Sequence, residues 1–399
     1  MGNKQVKSVS QLASLCSDSL ATLKKDKNDK AVHSDENEEH CKIINGTVQA
    51  MKNVILGKPI SQLKKKEDEK GEKLSPEQRK KLAAEFIQKE LTMALIKSLK
   101  VLSVDCKRNV VLICSHLSKE DGDYRDHITQ NPDILEFLVS AYNDHDYTSE
   151  TGISLYTGDI LQAFIRNIGD RVASVILMTD DSNWLWAFFS THVDIASFDV
   201  QTQAFNTLKD LFLSQSNNKI CVRDPAVKLI AAKEDQFFDN FNVMLKSSTF
   251  VTCRQSLRLL HQILFDPQKK TYKSMMRYIT NKKYLKITMN LLRDASDQIQ
   301  FEAFHLFKVF VLNPKRSPEV TRVLSKRQNK KALVEFLTTF KTKFKEMHFQ
   351  EPGSDDLFQQ ELANVIATIS QLEPSDKKPA EVIVGQSSEE LGAFGEKIK

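Results

Sequence analysis

A phenylalanine, two arginines and a histidine recur at helical spacing in STFVTCRQSLRLLHQILFD, residues 248–266. Wound as a helix, Phe250, Arg254, Arg258 and His261 share one stripe, and Cys253, Leu257, Leu260 and Leu264 form the opposite, apolar one. Guanidinium groups pair bidentately with carboxylates and stack on rings, so the first stripe suits an anionic or aromatic segment of a partner. An ordinary solvated basic face has the same spacing, and spacing does not separate the two. The following stretch, KYLKITMNLLRD, repeats the arrangement: Leu285, Thr288 and Leu292 can face a core while Lys286, Met289 and Arg293 line up outside. A methionine at such a place more often belongs to a core, but beside a lysine on an exposed stripe Met289 would fit an adaptable apolar pocket with a charged rim.

Chemistry of other kinds finds no footing. There is no glycine-rich phosphate loop, no kinase or hydrolase signature and no H-E-x-x-H pair. Asp144-His145-Asp146-Tyr147-Thr148 begins like a calcium loop, but Ser149 stands where glycine is needed and Leu155 where glutamate is needed. It reads as a solvated loop. His40-Cys41 and Cys106…Cys114 lack second pairs at zinc spacing, and the 9 histidines form no constellation. The expectation is a chain that is not an enzyme, with no catalytic residue, no metal and no cofactor.

The elements that would position the two stripes are helices. Glycine is scarce, 12 in 399 residues, and prolines number 10, too few for the turns of sandwiches, barrels or wound sheets. Six scattered cysteines, no signal-peptide core and no apolar run long enough for a membrane point to a reduced, cytoplasmic protein without stable membrane insertion. Val6 stands where a myristoylation motif wants serine or threonine. The net charge is only +5, but residues 250–345 hold 21 Lys/Arg against 6 Asp/Glu. That half attracts anions.

A short pattern recurs along the chain: a small residue, a large apolar one, then apolar residues three and six further on. It is clearest at Ala204-Phe205-Leu208-Leu211, Ser256-Leu257-Leu260-Ile263 and Ala303-Phe304-Phe307-Phe310, with weaker echoes at Val110 and Thr157. The spacings of 47, 47, 52 and 47 residues belong to HEAT or armadillo units of two or three helices. The fold class expected is all-α, an armadillo/HEAT-like superhelix forming a curved rod. Its limits follow composition: N-terminal helices at 8–25 and 42–56 with a mixed-charge 64–73 linker in 1–74, the repeat domain over 75–371, and a disordered tail over 372–399. Ser75-Pro76-Glu77-Gln78 is a helix start, after which Ile87, Leu91, Ala94 and Leu95 would share a face. IQFEAFHLFKVF, apolar nearly all round, must be sandwiched between neighbours and end at Asn313-Pro314.

NLLRDASDQIQFEAFHLFKVFVLNP (290–314), CRQSLRLLHQILFD (253–266) and FDVQTQAFNTLKDLF (198–212) together resemble the Mo-twenty-five, or calcium-binding protein thirty-nine, scaffold family. The resemblance is dense from about 190 to 340, collinear back through MKNVILG to the N-terminal helix, and does not cover the tail. It implies a helical-repeat scaffold without catalytic activity, serving intracellular signalling and cell polarity. Its partners would be a STRAD-like pseudokinase with the liver-type tumour-suppressor kinase, or germinal-centre kinases of the sterile-twenty group. The concave face would hold the kinase-like domain, stabilising its active conformation, and a separate pocket would take a C-terminal Trp-Glu-Phe motif. Carried over by position, Phe250, Arg254 and Arg258, with His261 on their stripe and Tyr272 across a two-residue insertion, belong to the concave face. Lys286, Met289 and Lys326 belong to the motif pocket. Departures fall at Pro267, where the family has arginine, and at the inserted Lys269-Lys270, which put activation in question more than the fold. The alternative is a HEAT-like binder of acidic cargo or nucleic acid, against which the scarcity of basic-aromatic alternation speaks, so no nucleic-acid partner is expected.

Overall fold

The computed structural model describes residues 8–25, 35–56, 76–142, 152–179, 184–194, 197–216, 218–247, 249–345 and 354–373. Ser75, the 64–73 stretch, the calcium-loop-like segment from Asp144 to Ser149 and the 374–399 tail lie outside them. Among the described residues the regular structure is helical apart from one two-stranded hairpin. The chain is an all-α, armadillo-like helical repeat, in two compact units, 1–275 and 276–399.

In the first unit five long helices stack in chain order: Asp35–Ile55, Val104–Glu120, Ile153–Ile168, Phe198–Phe212 and Phe250–Leu264, each packed on the next. The repeat pattern sits at their buried centres. Val110, Ala204 and Ser256 are each the seventh residue of their helix, Thr157 is the fifth, and all four are 0% exposed. A small side chain there lets the neighbouring helix approach, and the large apolar residues that follow fill the space on either side. Burying each of those contributes about 1.5–3 kcal/mol. Thr47-Val48-Met51-Val54 shows the same pattern, at most 4% exposed, in the first long helix. Its distance from Val110, lengthened by the charged stretch between, hides it from a search by period.

Each junction of this stack carries a polar bond as well. Asn109 Nδ2 donates to Gln49 Oε1 at 2.8 Å, Asn167 Nδ2 to Ser118 Oγ at 2.9 Å, Gln162 Nε2 to Thr207 Oγ1 at 3.1 Å, and Gln201 Nε2 to Thr252 Oγ1 at 3.2 Å. Buried amides demand such partners, so these four bonds select one register between helices where apolar packing alone would tolerate several.

Three details differ from the sequence expectation. The second helix spans Asp35–Ile55, so part of the polar stretch before residue 42 is helical; a Glu38–Lys42 pair supports its solvated first turns. Ile87, Leu91, Ala94 and Leu95 do not share one helix, because Pro76–Gln88 ends and Leu91–Lys97 begins around Glu90, which adopts φ 49. The apolar spacing suits one continuous helix, but the turn lets Leu82, Phe86, Leu91 and Leu95 all reach 0% exposure. Finally, Leu213–Ser216 and Lys219–Val222 pair antiparallel, turning at Asn218 with φ 59, a left-handed conformation asparagine tolerates.

The second unit is built around Asp297–Leu312, in which Ile299, Ala303, Phe304, Leu306, Phe307 and Phe310 are at most 3% exposed. Lys282–Leu291 and Ser354–Gln371 both pack on it, giving the sandwich its all-round apolarity requires. Phe358 lies 5.2 Å from the ring of Phe304 and 5.3 Å from that of Phe301. Asn313 caps the helix end before Pro314, as expected.

Candidate partner-binding surfaces

The helix Phe250–Leu264 separates its two stripes cleanly. Cys253, Leu257, Leu260 and Leu264 are at most 3% exposed. On the other side Phe250, its first residue, is 41% exposed, Arg254 is half-buried, Arg258 is exposed and His261 is half-buried. The imidazole of His261 leans on the Phe265 ring, centroids 4.5 Å apart. Tyr272 opens the next helix, Tyr272–Thr280. Its hydroxyl is buried with no hydrogen-bond partner, and burial raises it above the usual phenol range.

One exposed aromatic escaped the sequence reading. Phe198 is the first residue of its long helix and is 62% exposed. The two helices enclose a small groove, lined by Gln201, Thr202, Phe205 and Asn206 from one and by Val251 and Gln255 from the other. The signal was available: Phe198 and Phe250 are separated by the same 52 residues as Ala204 and Ser256. The exposed register of the repeat thus has the same period as the buried one.

In the second unit Lys286 is exposed and Met289 half-buried on one face of Lys282–Leu291, and Arg293, in the turn just past that helix, is exposed. Lys326, also exposed, caps the C-terminal end of Pro318–Ser325, which packs beside that helix. The structure thus groups Phe250, Arg254, Arg258 and His261 on one helix face, and Lys286 and Met289 on another.

No group of three or more His, Cys, Asp or Glu among the described residues could hold a metal ion, and no helix among them is long and apolar enough to cross a membrane. Burial pushes the thiols of Cys16 to about 11 and of Cys106 and Cys114 to about 12, so these three are not thiolates at neutral pH.

The sequence matches a Mo25-like family model over residues 1–373. The chain belongs to the Mo25-like family. It is 34% identical over 295 residues to a Mo25-like protein of Schizosaccharomyces pombe, covering 73% of this chain and 80% of that one. It is 32% identical over 345 residues to the human calcium-binding protein 39-like, covering 85% and 89%. Among solved structures it is similar to a designed armadillo repeat protein, at 10% identity and TM-score 0.35, over 76% of this chain and 99% of that one. Mo25-like membership and a helical-repeat fold are typical of scaffolds without catalysis.

The Mo25-like chain builds the turn around Pro267 and the extra lysines firmly. Asp266, 4% exposed, accepts from the backbone N–H of Val222 at 2.9 Å and of Lys270 at 3.0 Å. Lys269 takes the left-handed conformation, φ 58, and Lys270 Nζ reaches Asp224 at 2.5 Å. Thr271 Oγ1 donates to the carbonyl of Ile263 at 2.5 Å. The insertion is therefore fastened to the hairpin at Val222 and to Asp224 just after it.

Proposed function

We propose that this chain is a kinase-binding scaffold without catalytic activity. Its first unit would take a pseudokinase or a sterile-twenty-type kinase domain along Phe250, Arg254, Arg258 and His261, with Phe198 and Tyr272 beside them. Its second unit would take an acidic-aromatic C-terminal motif of the Trp-Glu-Phe kind at Lys286, Met289 and Lys326. The observation that carries this reading is the exposure of Phe198 and Phe250 at equivalent places on two stacked repeat helices, with arginines following on the second. Aromatic and arginine anchors are the usual centres of interfaces, and here two exposed aromatics are presented on stacked, rigid helices with arginines beside one of them.

Function would come from differential affinity. A partner that alternates between open and closed forms is shifted toward whichever form the scaffold contacts more fully, with no bond made or broken. Such a role suits signalling and cell-polarity pathways in the cytoplasm.

The test is a binding titration with the purified full chain. Arg254→Glu is expected to weaken capture of a STRAD-type pseudokinase domain at least tenfold while leaving a Trp-Glu-Phe-ended peptide bound normally, and Met289→Ala is expected to do the reverse. Full retention of both ligands by both variants would sink the reading.

A further inference from the structure

Two stripes of the second unit run side by side from one ion pair. Lys282 Nζ meets Glu319 Oε1 at 2.9 Å, and Ser317 Oγ donates to the carbonyl of Thr280 at 2.6 Å. The helices Lys282–Leu291 and Pro318–Ser325 therefore start together, and they pack against each other. From Lys282, steps of four and three lead to Lys286 and Met289, with Arg293 in the turn just past the helix; from Glu319, a step of three leads to Arg322, and Lys326 is the residue that caps the end of its helix. Beyond the first pair every charged member is a cation. Lys286, Arg293, Arg322 and Lys326 are all exposed and have no acidic partner among the described residues. Exposed cations on two helices that pack together, with a half-buried thioether on one of them, call for an anionic occupant with an aromatic group to lie on Met289.

The chain carries such a sequence itself. Residues 379–396, PAEVIVGQSSEELGAFGE, hold Glu381, Glu389, Glu390, Glu396 and Phe394, with no lysine or arginine. The chain also sets out toward it from this neighbourhood: Lys330 Nζ, one helical turn beyond Lys326, donates to the carbonyl of Leu372 at 2.8 Å. The length of chain from Leu372 to Glu389 can reach at most about 60 Å.

We infer that the Glu389–Glu396 segment docks in cis on the face formed by Lys286, Met289, Arg322 and Lys326, and so competes with any partner for it. This rests on reading that face as the pocket for an acidic-aromatic motif. A tether of this length presents its end at roughly millimolar concentration, enough for a contact that an isolated peptide would barely make. If the segment fills the face for half to nine-tenths of the time, an outside peptide binds about two- to tenfold more weakly.

The decisive experiment is thiol trapping in the full chain carrying Met289→Cys and Phe394→Cys, under oxidised glutathione, with the bond mapped by mass spectrometry. The intramolecular bond is expected to form at least tenfold faster than in a control pairing Thr339→Cys with Phe394→Cys, and adding Lys286→Glu and Lys326→Glu is expected to remove the advantage. Equal rates for the two pairs, or bonds only between molecules, would overturn the inference. In parallel, a fluorescein-labelled peptide ending in Trp-Glu-Phe is titrated into the unaltered chain and into one carrying Glu389→Lys, Glu390→Lys and Phe394→Ala. Tighter binding to the altered tail, by two- to tenfold, supports competition, and equal affinity refutes it. Peptide binding to neither chain defeats the pocket reading under Proposed function, while the trapping result still decides the tail.

Discussion

Gln201 and Thr252 meet on the carbonyl of Val193. The amide of Gln201 donates to it at 2.8 Å, the hydroxyl of Thr252 at 3.1 Å, and the two side chains lie 3.2 Å apart. This three-way contact ties the helices that carry Phe198 and Phe250, so it sets the spacing of the two exposed aromatics. Gln201→Leu is expected to lower stability by about 1–3 kcal/mol, because a buried carbonyl and hydroxyl lose a donor. Chemical denaturation measures this, and an unchanged midpoint would show the bond to be dispensable.

The aromatics themselves should matter only for binding. Phe198→Ala and Phe250→Ala are each expected to weaken capture of a kinase-like domain by about 1–2 kcal/mol, roughly five- to thirtyfold. Both side chains are well exposed, so unfolding free energy should move by less than about 0.5 kcal/mol. A loss of stability matching the loss of binding would reassign them to the core.

Gly158 sits mid-helix, where alanine would ordinarily be preferred by about 1 kcal/mol. A Cβ there would collide with Gln203 Oε1 and the Tyr142 hydroxyl. Gln203 is not free to retreat, since its amide donates to the Leu155 carbonyl and to Asp159, both at 2.7 Å. Gly158→Ala is therefore expected to destabilise by about 1–3 kcal/mol. A rise in melting temperature would contradict the packing.

His192 is 0% exposed between Tyr142 and Phe188, with neither ring nitrogen hydrogen-bonded. Burial alone pushes it down to about 4. The unfolded chain titrates near 6.5, so as pH falls it takes up this proton before the folded chain does. Stability should drop progressively from about pH 6.5 to about pH 4, by up to roughly 3 kcal/mol from this residue. His192→Leu should flatten that part of the stability–pH curve; a profile unchanged by the substitution would place the acid sensitivity elsewhere.

The repeat and its outward stripe were legible before the structure because both rest on local periodicity. Ser256 and Leu257 mark the buried centre of a helix whatever follows, and Arg254 and Arg258 must then face away. The hairpin at Leu213–Ser216 and Lys219–Val222 was not legible, since LSQS and KICV are too short to outweigh a helical background. The break around Glu90 also escaped, because the apolar spacing of Ile87, Leu91 and Leu95 suits one helix as well as two. Phe198 was missed for another reason: its importance depends on a neighbour 52 residues away. The polar bonds at each junction, such as Asn109 to Gln49, join residues far apart in sequence and leave no periodic trace.

Those junction bonds join each long helix only to the one before and the one after. A stack built that way has no overall register to lose. Extra chain between two members, such as the hairpin that accompanies the longer interval from Ala204 to Ser256, is absorbed where it enters. The next interval, Ser256 to Ala303, returns to 47 residues as though nothing had been added. Length changes at one junction are thus invisible to the rest of the array, which leaves the connections open to drift while the faces they join stay put.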